Sequence, residues 1–192
     1  MQREASNDPR LSRIFLALVP DAETAARVHR LAGVLKRAHR FSGRLIAPDR
    51  LHVSLFFVGG LPHAMVDEIC HALTELRMPP FDVAFDRSVS FRGREGCRPF
   101  VLIGDDGPSE LKSCHRAVGA ALHHAGLRCR TGANFTPHVT LLYDVRSAEE
   151  HPIAEPIYWV ASELVLIKSM NGHTHLWKRS LAREILTPAP AP

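Results

Sequence analysis

A chain of 192 residues, 45% of them hydrophobic, can bury a core of its own and suits one compact domain or two small lobes. No apolar stretch approaches the roughly 18 residues of a membrane span, and the polar stretch Met1–Arg10 lacks the apolar centre of a signal peptide, so the expectation is a cytoplasmic protein with no membrane partner. A net charge of +4 and a pI near 9.1 fall short of the dense charge of a tight nucleic-acid binder but suit a polyanionic ligand.

In chain order, Arg13 to Val19 reads as a buried strand ended by Pro20. Asp21 is placed to cap a helix running to about His39, with Val28, Leu31 and Leu35 on its apolar side. A basic loop, Arg40 to Arg50, leads into an apolar run, Leu51 to Phe57, bounded by Pro48 and by Gly59-Gly60. The next helix spans about Pro62 to Arg77, with Met65, Ile69, Leu73 and Leu76 at helical spacing, and Pro79-Pro80 stops it. Phe81 to Phe91 alternates as a strand does, and Phe100 to Ile103 is its expected partner across an Arg/Gly loop.

Asp106-Gly107-Pro108-Ser109 opens a third helix that reaches about Ala125, with Gly126 as its end signal. A loop from Cys129 to Pro137 precedes a second apolar run, His138 to Tyr143. Ile157 to Lys168 and His175 to Leu181 are expected to form a terminal strand pair turning at Asn171-Gly172. The resulting order, β-α-β-α-β-β-α-β-β-β, hints at two related lobes. It gives a single domain over 11–183, with flexible tails at 1–10 and at the Pro-rich end, 187–192.

Two segments nearly repeat one another: Leu51-His52-Val53-Ser54-Leu55-Phe56-Phe57 and Pro137-His138-Val139-Thr140-Leu141-Leu142-Tyr143. One His-x-Ser/Thr means little in a chain with 12 histidines. Two copies with Val between and Leu after are another matter. In a strand, residues i and i+2 face the same side, so His52 and Ser54 share one face, as do His138 and Thr140. Histidine exchanges a proton near neutral pH, so a pair can serve one substrate as acid and base. The hydroxyls can donate to the oxygens of the group under attack.

Other machinery is missing. The chain carries no G-x-x-x-x-G-K-[ST], no H-E-x-x-H and no G-x-S-x-G. Cys70, Cys97, Cys114 and Cys129 form no C-x-x-C and read as free thiols. His173-Thr174-His175 could be a metal pair, but no third ligand has suitable spacing. The expectation is therefore no metal and no cofactor. Arginines cluster at Arg87, Arg92, Arg94 and Arg98, and again at Arg128 and Arg130, as phosphate contacts or as solvated loop charges. His115, His123 and His124 read as surface residues of the third helix, and Phe56, Phe57, Tyr143 and Trp159 as core. A phosphodiester suits this inventory, because displacement at phosphorus can be driven by positioning and hydrogen bonding.

The paired motifs resemble the His-x-Ser/Thr signatures of the 2H phosphoesterase superfamily. The chain is most similar there to the 2′-5′ RNA ligase-like, RNA 2′,3′-cyclic phosphodiesterase branch. The resemblance runs from about Arg13 to Leu181 and includes Phe15-Leu16-Ala17-Leu18-Val19-Pro20, Leu51 to Gly59, and Phe135-Thr136-Pro137-His138-Val139-Thr140-Leu141. It implies an α+β, bilobal 2H phosphoesterase fold: two pseudo-symmetric lobes with antiparallel sheets around a central cleft and helices outside. It implies hydrolysis of RNA 2′,3′-cyclic phosphate ends to 2′-phosphates, with His52 and His138 catalytic and Ser54 and Thr140 binding phosphate. Within the pair it makes His138 the base on water and His52 the acid. It also implies reversible, ATP-independent 2′-5′ joining of RNA ends. The expected partners are RNA 3′ ends or small cyclic nucleotides, met by a monomer.

Two departures from the pattern stand out. Where relatives carry a basic residue after the second motif, as in H-V-T-L-A-R, this chain has Leu142-Tyr143-Asp144, and its nearest arginine is Arg146. Ser54 stands where threonine is commoner. The alternatives are a cyclic phosphodiesterase for small nucleotides, a relative that grips RNA ends without turnover, and a metal-dependent hydrolase using some of the histidines.

Overall fold

A computed structural model describes residues 13–59, 63–94, 96–104, 109–127, 135–169 and 173–181. In chain order the elements are β1 (Arg13–Leu18), α1 (Ala22–Ala38), a short 3-10 turn (Pro48–Arg50), β2 (Val53–Gly59), α2 (His63–Thr74), β3 (Phe81–Ser90), β4 (Arg98–Ile103), α3 (Ser109–His124), β5 (Val139–Asp144), β6 (His151–Ala161), β7 (Glu163–Ser169) and β8 (His173–Ser180). The expected tails, the opening of the third helix at 106–108, Arg128, Cys129, Arg130 and the Asn171-Gly172 turn lie outside the described residues.

Local chemistry sets the helix ends. Asp21 accepts from the Thr24 amide at 2.9 Å and from its hydroxyl at 2.7 Å, capping α1. Gly126, at φ +77°, ends α3: its amide bonds the His123 carbonyl and the Leu127 amide the Leu122 carbonyl, each at 3.0 Å. That six-to-one and five-to-two pair satisfies carbonyls the helix would leave orphaned. No helix among the described residues is long and apolar enough to cross a membrane.

The strands form one antiparallel sheet in the order β6-β3-β4-β5-β2-β1-β7-β8. It is built from two four-stranded halves, and the fold is α+β as expected. The unit β1-α1-β2 in one half corresponds to β4-α3-β5 in the other, so the motif strands β2 and β5 occupy equivalent places. The halves meet between them at one pair, Val53 opposite Val139. A single large core lies against α1, α2 and α3, which contribute Val28, Ile69, Leu73, Leu111, Val118 and Leu122 among others. Each of these six is at most 1% exposed. Phe15, Ala17, Val165 and Ile167 make a second, small cluster.

One strand expected at 157–168 is two. Ser162 separates β6 from β7, and its carbonyl accepts from the Leu181 amide at 2.8 Å. Before the break Ala161 pairs with Phe81, and after it Glu163 pairs with Ser180. In a flat sheet the six steps from β6 to β7 would span about 29 Å, whereas two residues of chain reach only about 7 Å. The sheet is therefore strongly curled, and a continuous apolar pattern hid the passage from one half to the other.

Both motif strands carry a β-bulge at the equivalent residue. Ser54 and Phe56 pair with Ala17 and Leu16, leaving Leu55 extra. Thr140 and Leu142 pair with Val101 and Phe100, leaving Leu141 extra. Consecutive residues, Leu55-Phe56 and Leu141-Leu142, are thus buried together.

Asp144 ties the segment after α1 to the end of β5. Its carboxylate accepts from the Ser42 and Gly43 amides at 2.6 Å each, the Arg146 amide at 2.9 Å and the Ser42 hydroxyl at 3.2 Å. Burial pushes this carboxyl up, but the hydrogen bonds outweigh burial and hold it below the ordinary carboxylate range. Asp144→Ala strands three amides and should cost about 2–4 kcal/mol of unfolding free energy in urea titration. A depressed carboxyl stabilises above its unfolded value and loses that contribution as the pH falls through the folded one. The difference between wild type and variant should therefore shrink below about pH 4.

Candidate active site

His52 immediately precedes β2 and His138 immediately precedes β5, so the seam between the halves brings them together. Each Nδ1 lies against the carbonyl two residues upstream, Arg50 at 2.8 Å for His52 and Thr136 at 2.9 Å for His138. A carbonyl only accepts, so Nδ1 carries the hydrogen in both rings, and Nε2 is left for a ligand. A phenylalanine backs each ring. Phe15 lies 4.9 Å from His52 and Phe91 lies 5.0 Å from His138, centroid to centroid.

His52, Ser54, His138 and Thr140 line one cleft of 410 Å³. Val53 and Val139 between them are fully buried. This is the alternation that the repeated motif implies. Beyond it the bulges take over. Strict alternation would place Phe56 beside Ser54, but the extra residue shifts the phase by one. Phe57 and Tyr143, each five residues past its motif histidine, therefore face the cleft and are 63% and 48% exposed. Their expected place in the core is corrected by these bulges. Phe56 and Trp159 are in the core as expected.

Sequence reasoning weighed His173 only as half of a metal pair with His175 and missed its place in the cleft. The first residue of β8, it lines the same cleft, with its ring 5.2 Å from His52 and 5.5 Å from Phe15. Burial, then the charges of His52 and Arg50, push its pKa down to about 4, which keeps it neutral at ordinary pH. Burial is also the main cause that lowers His52, with the charges of His138 and Arg50 adding to it and the Arg50 carbonyl opposing it. Among the described residues, no group of three or more His, Cys, Asp or Glu side chains is arranged to hold a metal ion.

His115 is not a surface residue. Its ring is sandwiched between Phe56 at 4.2 Å and Phe135 at 4.0 Å, nearly parallel to both, and it is 8% exposed. Its spacing from Leu111, Val118 and Leu122 puts it on the apolar side of α3, a signal present in the sequence. His123 and His124 are exposed. Of the first arginine cluster, Arg87 is engaged by Asp86 at 3.2 Å and Glu150 at 2.7 Å. Arg98 bonds the Ser147 hydroxyl at 3.4 Å. Cys70, Cys97 and Cys114 are free, and burial pushes the Cys114 thiol up to about 12.

A curled antiparallel sheet with two equivalent His-hydroxyl strands at its seam defines the 2H phosphoesterase class, and comparison with known proteins agrees. Residues 20–182 match the model of the 2′-5′ RNA ligase superfamily, and the chain belongs to that family. An RNA 2′,3′-cyclic phosphodiesterase of Archaeoglobus fulgidus is 27% identical over 130 residues, which is 67% of this chain and 70% of that one. The solved structure of Escherichia coli LigT complexed with 3′-AMP superimposes with a TM-score of 0.72 at 20% identity, covering 90% of this chain and 99% of the other. A Thermus thermophilus protein, TT0787, does so with a TM-score of 0.68 at 19% identity, with the same coverage. These two structures share the fold.

Proposed function

We propose that the protein hydrolyses RNA 2′,3′-cyclic phosphate ends to 2′-phosphates, without a metal, by acid-base catalysis between His52 and His138. The observation that carries this reading is the pair of histidines, each with Nδ1 tied to a carbonyl and Nε2 free, in one cleft with two hydroxyls. His138 takes a proton from water, whose oxygen attacks phosphorus. The bond from phosphorus to the 3′ oxygen breaks, and His52 gives that oxygen its proton. The product carries a 2′-phosphate and a free 3′ hydroxyl. Ser54 and Thr140 donate to the non-bridging oxygens, where negative charge must be held. With a 5′ hydroxyl in place of water, the same steps join RNA ends through a 2′-5′ linkage without ATP, and run backwards they cleave that linkage to the cyclic phosphate.

The test is a short RNA ending in a 2′,3′-cyclic phosphate, incubated with and without EDTA. Turnover to the 2′-phosphate should be indifferent to EDTA, and loss of activity in the chelator would refute the metal-free mechanism. The pH profile should be bell-shaped. Burial in the empty cleft lowers His52, so one limb of the kcat/KM profile should have its midpoint below the ordinary 6.5. Bound phosphate is anionic and favours the imidazolium, so the same limb of kcat should lie at higher pH.

A further inference from the structure

Tyr143 is exposed at the cleft, and the register of the neighbouring segment sets a basic residue beside it. Residues 45–46 run antiparallel beside β5: Leu45 pairs with Leu142, and the Ile46 amide bonds the Leu141 carbonyl at 2.8 Å. That register sets Arg44 directly across from Tyr143. Directly paired residues share a face: Leu45 lies with the buried Leu142, so Arg44, which is exposed, lies on the side of Tyr143, whose ring lines the cleft.

The segment is held firmly. Asp144 binds the Ser42 and Gly43 amides, and Lys36 Nζ donates to the Gly43 carbonyl at 2.6 Å. A side chain at Gly43 would run into the Tyr143 carbonyl, so the backbones approach closely there. Arg44 is exposed and has no carboxylate partner among the described residues. The Asp144 carboxylate at the end of β5 is taken up by its bonds to Ser42, Gly43 and Arg146.

We propose that Tyr143 and Arg44 form a second nucleotide subsite at one end of the cleft, which makes a single RNA strand, rather than a mononucleotide, the preferred ligand. Tyr143 stacks the base next to the terminal nucleotide, and Arg44 holds the phosphate between them. An exposed aromatic ring beside an unpaired arginine is the pairing that single-stranded nucleic acid requires, stacking for the base and charge for the backbone. The identity of the reacting end rests on the phosphodiesterase reading, but the binding test does not need turnover.

The affinities of a four-nucleotide RNA ending in a 2′-phosphate and of a nucleoside 2′-phosphate are measured by calorimetry for wild type, Arg44→Ala, Tyr143→Ala and Tyr143→Phe. Wild type should bind the RNA at least about tenfold more tightly than the monomer. Arg44→Ala and Tyr143→Ala should each weaken RNA about tenfold and leave the monomer unchanged, and Tyr143→Phe should match wild type. Arg44→Ala should also reduce the slope of log affinity against log salt by about 0.7. Equal affinity of wild type for both ligands, or variants that weaken both ligands alike or neither, would overturn the subsite. Turnover by wild type of a short RNA ending in a 2′,3′-cyclic phosphate reports separately on the phosphodiesterase reading. Its absence alongside RNA-selective binding removes that reading and leaves the subsite standing.

Discussion

His52→Ala and His138→Ala should each lower kcat by about a thousandfold or more, while the protein unfolds at an unchanged urea midpoint or a slightly higher one. One positioned proton donor or acceptor typically contributes about 10²- to 10⁴-fold, and here neither histidine has a neighbour able to replace it. His173 lies near enough to His52, but its pKa of about 4 leaves it without a proton to give at neutral pH. Stability should hold because each ring's hydrogen bond is local, to a carbonyl two residues away, and its remaining ring contacts lie at the open cleft. The double variant should be little worse than either single one, since acid and base act as one unit. Substantial activity in either single variant, measured on a cyclic mononucleotide by product chromatography, would end the two-histidine mechanism.

Ser54→Ala and Thr140→Val should each reduce kcat by roughly 10²- to 10³-fold, with a much smaller change in KM. The hydroxyls face the cleft, and charge accumulates on the non-bridging oxygens as water adds to phosphorus. On the proposed mechanism their hydrogen bonds strengthen in the transition state, so their loss should appear in kcat. Ser54→Thr and Thr140→Ser keep the donor and should keep most of the activity. A rise in KM at constant kcat would make these residues ground-state binders instead.

Two properties of the motif strands explain what could be read from the sequence and what could not. His52 with Ser54, and His138 with Thr140, were legible because their geometry depends on two-residue alternation, which one strand settles alone. The same is true of Asp21 at the start of α1 and Gly126 at the end of α3. Phe57 and Tyr143 were not legible. Leu55 and Leu141 are ordinary apolar residues, with no glycine or proline to announce a bulge, and only pairing with β1 and β4 shows that one residue is extra. His173 reaches the cleft because β8 lies beside β7 and β7 beside β1, a neighbourhood fixed by sheet order. The break at Ser162 was hidden because apolar residues continue on both sides of it. Arg44 was visible only as one charge in a basic loop until its register against β5 was known.

The seam at Val53 and Val139 has a consequence for reaction direction. The residues on its two sides are equivalent in kind: a histidine with the same free nitrogen, a hydroxyl two residues on, and a phenylalanine behind the ring. On the proposed mechanism a phosphorus atom held over that seam would meet matching groups on opposite faces. In-line displacement needs one group to enter on one face while another leaves by the opposite face. In that mechanism the side of His138 is the entrance and that of His52 the exit, and the nucleophile that solvent or a second RNA end supplies decides between hydrolysis and joining.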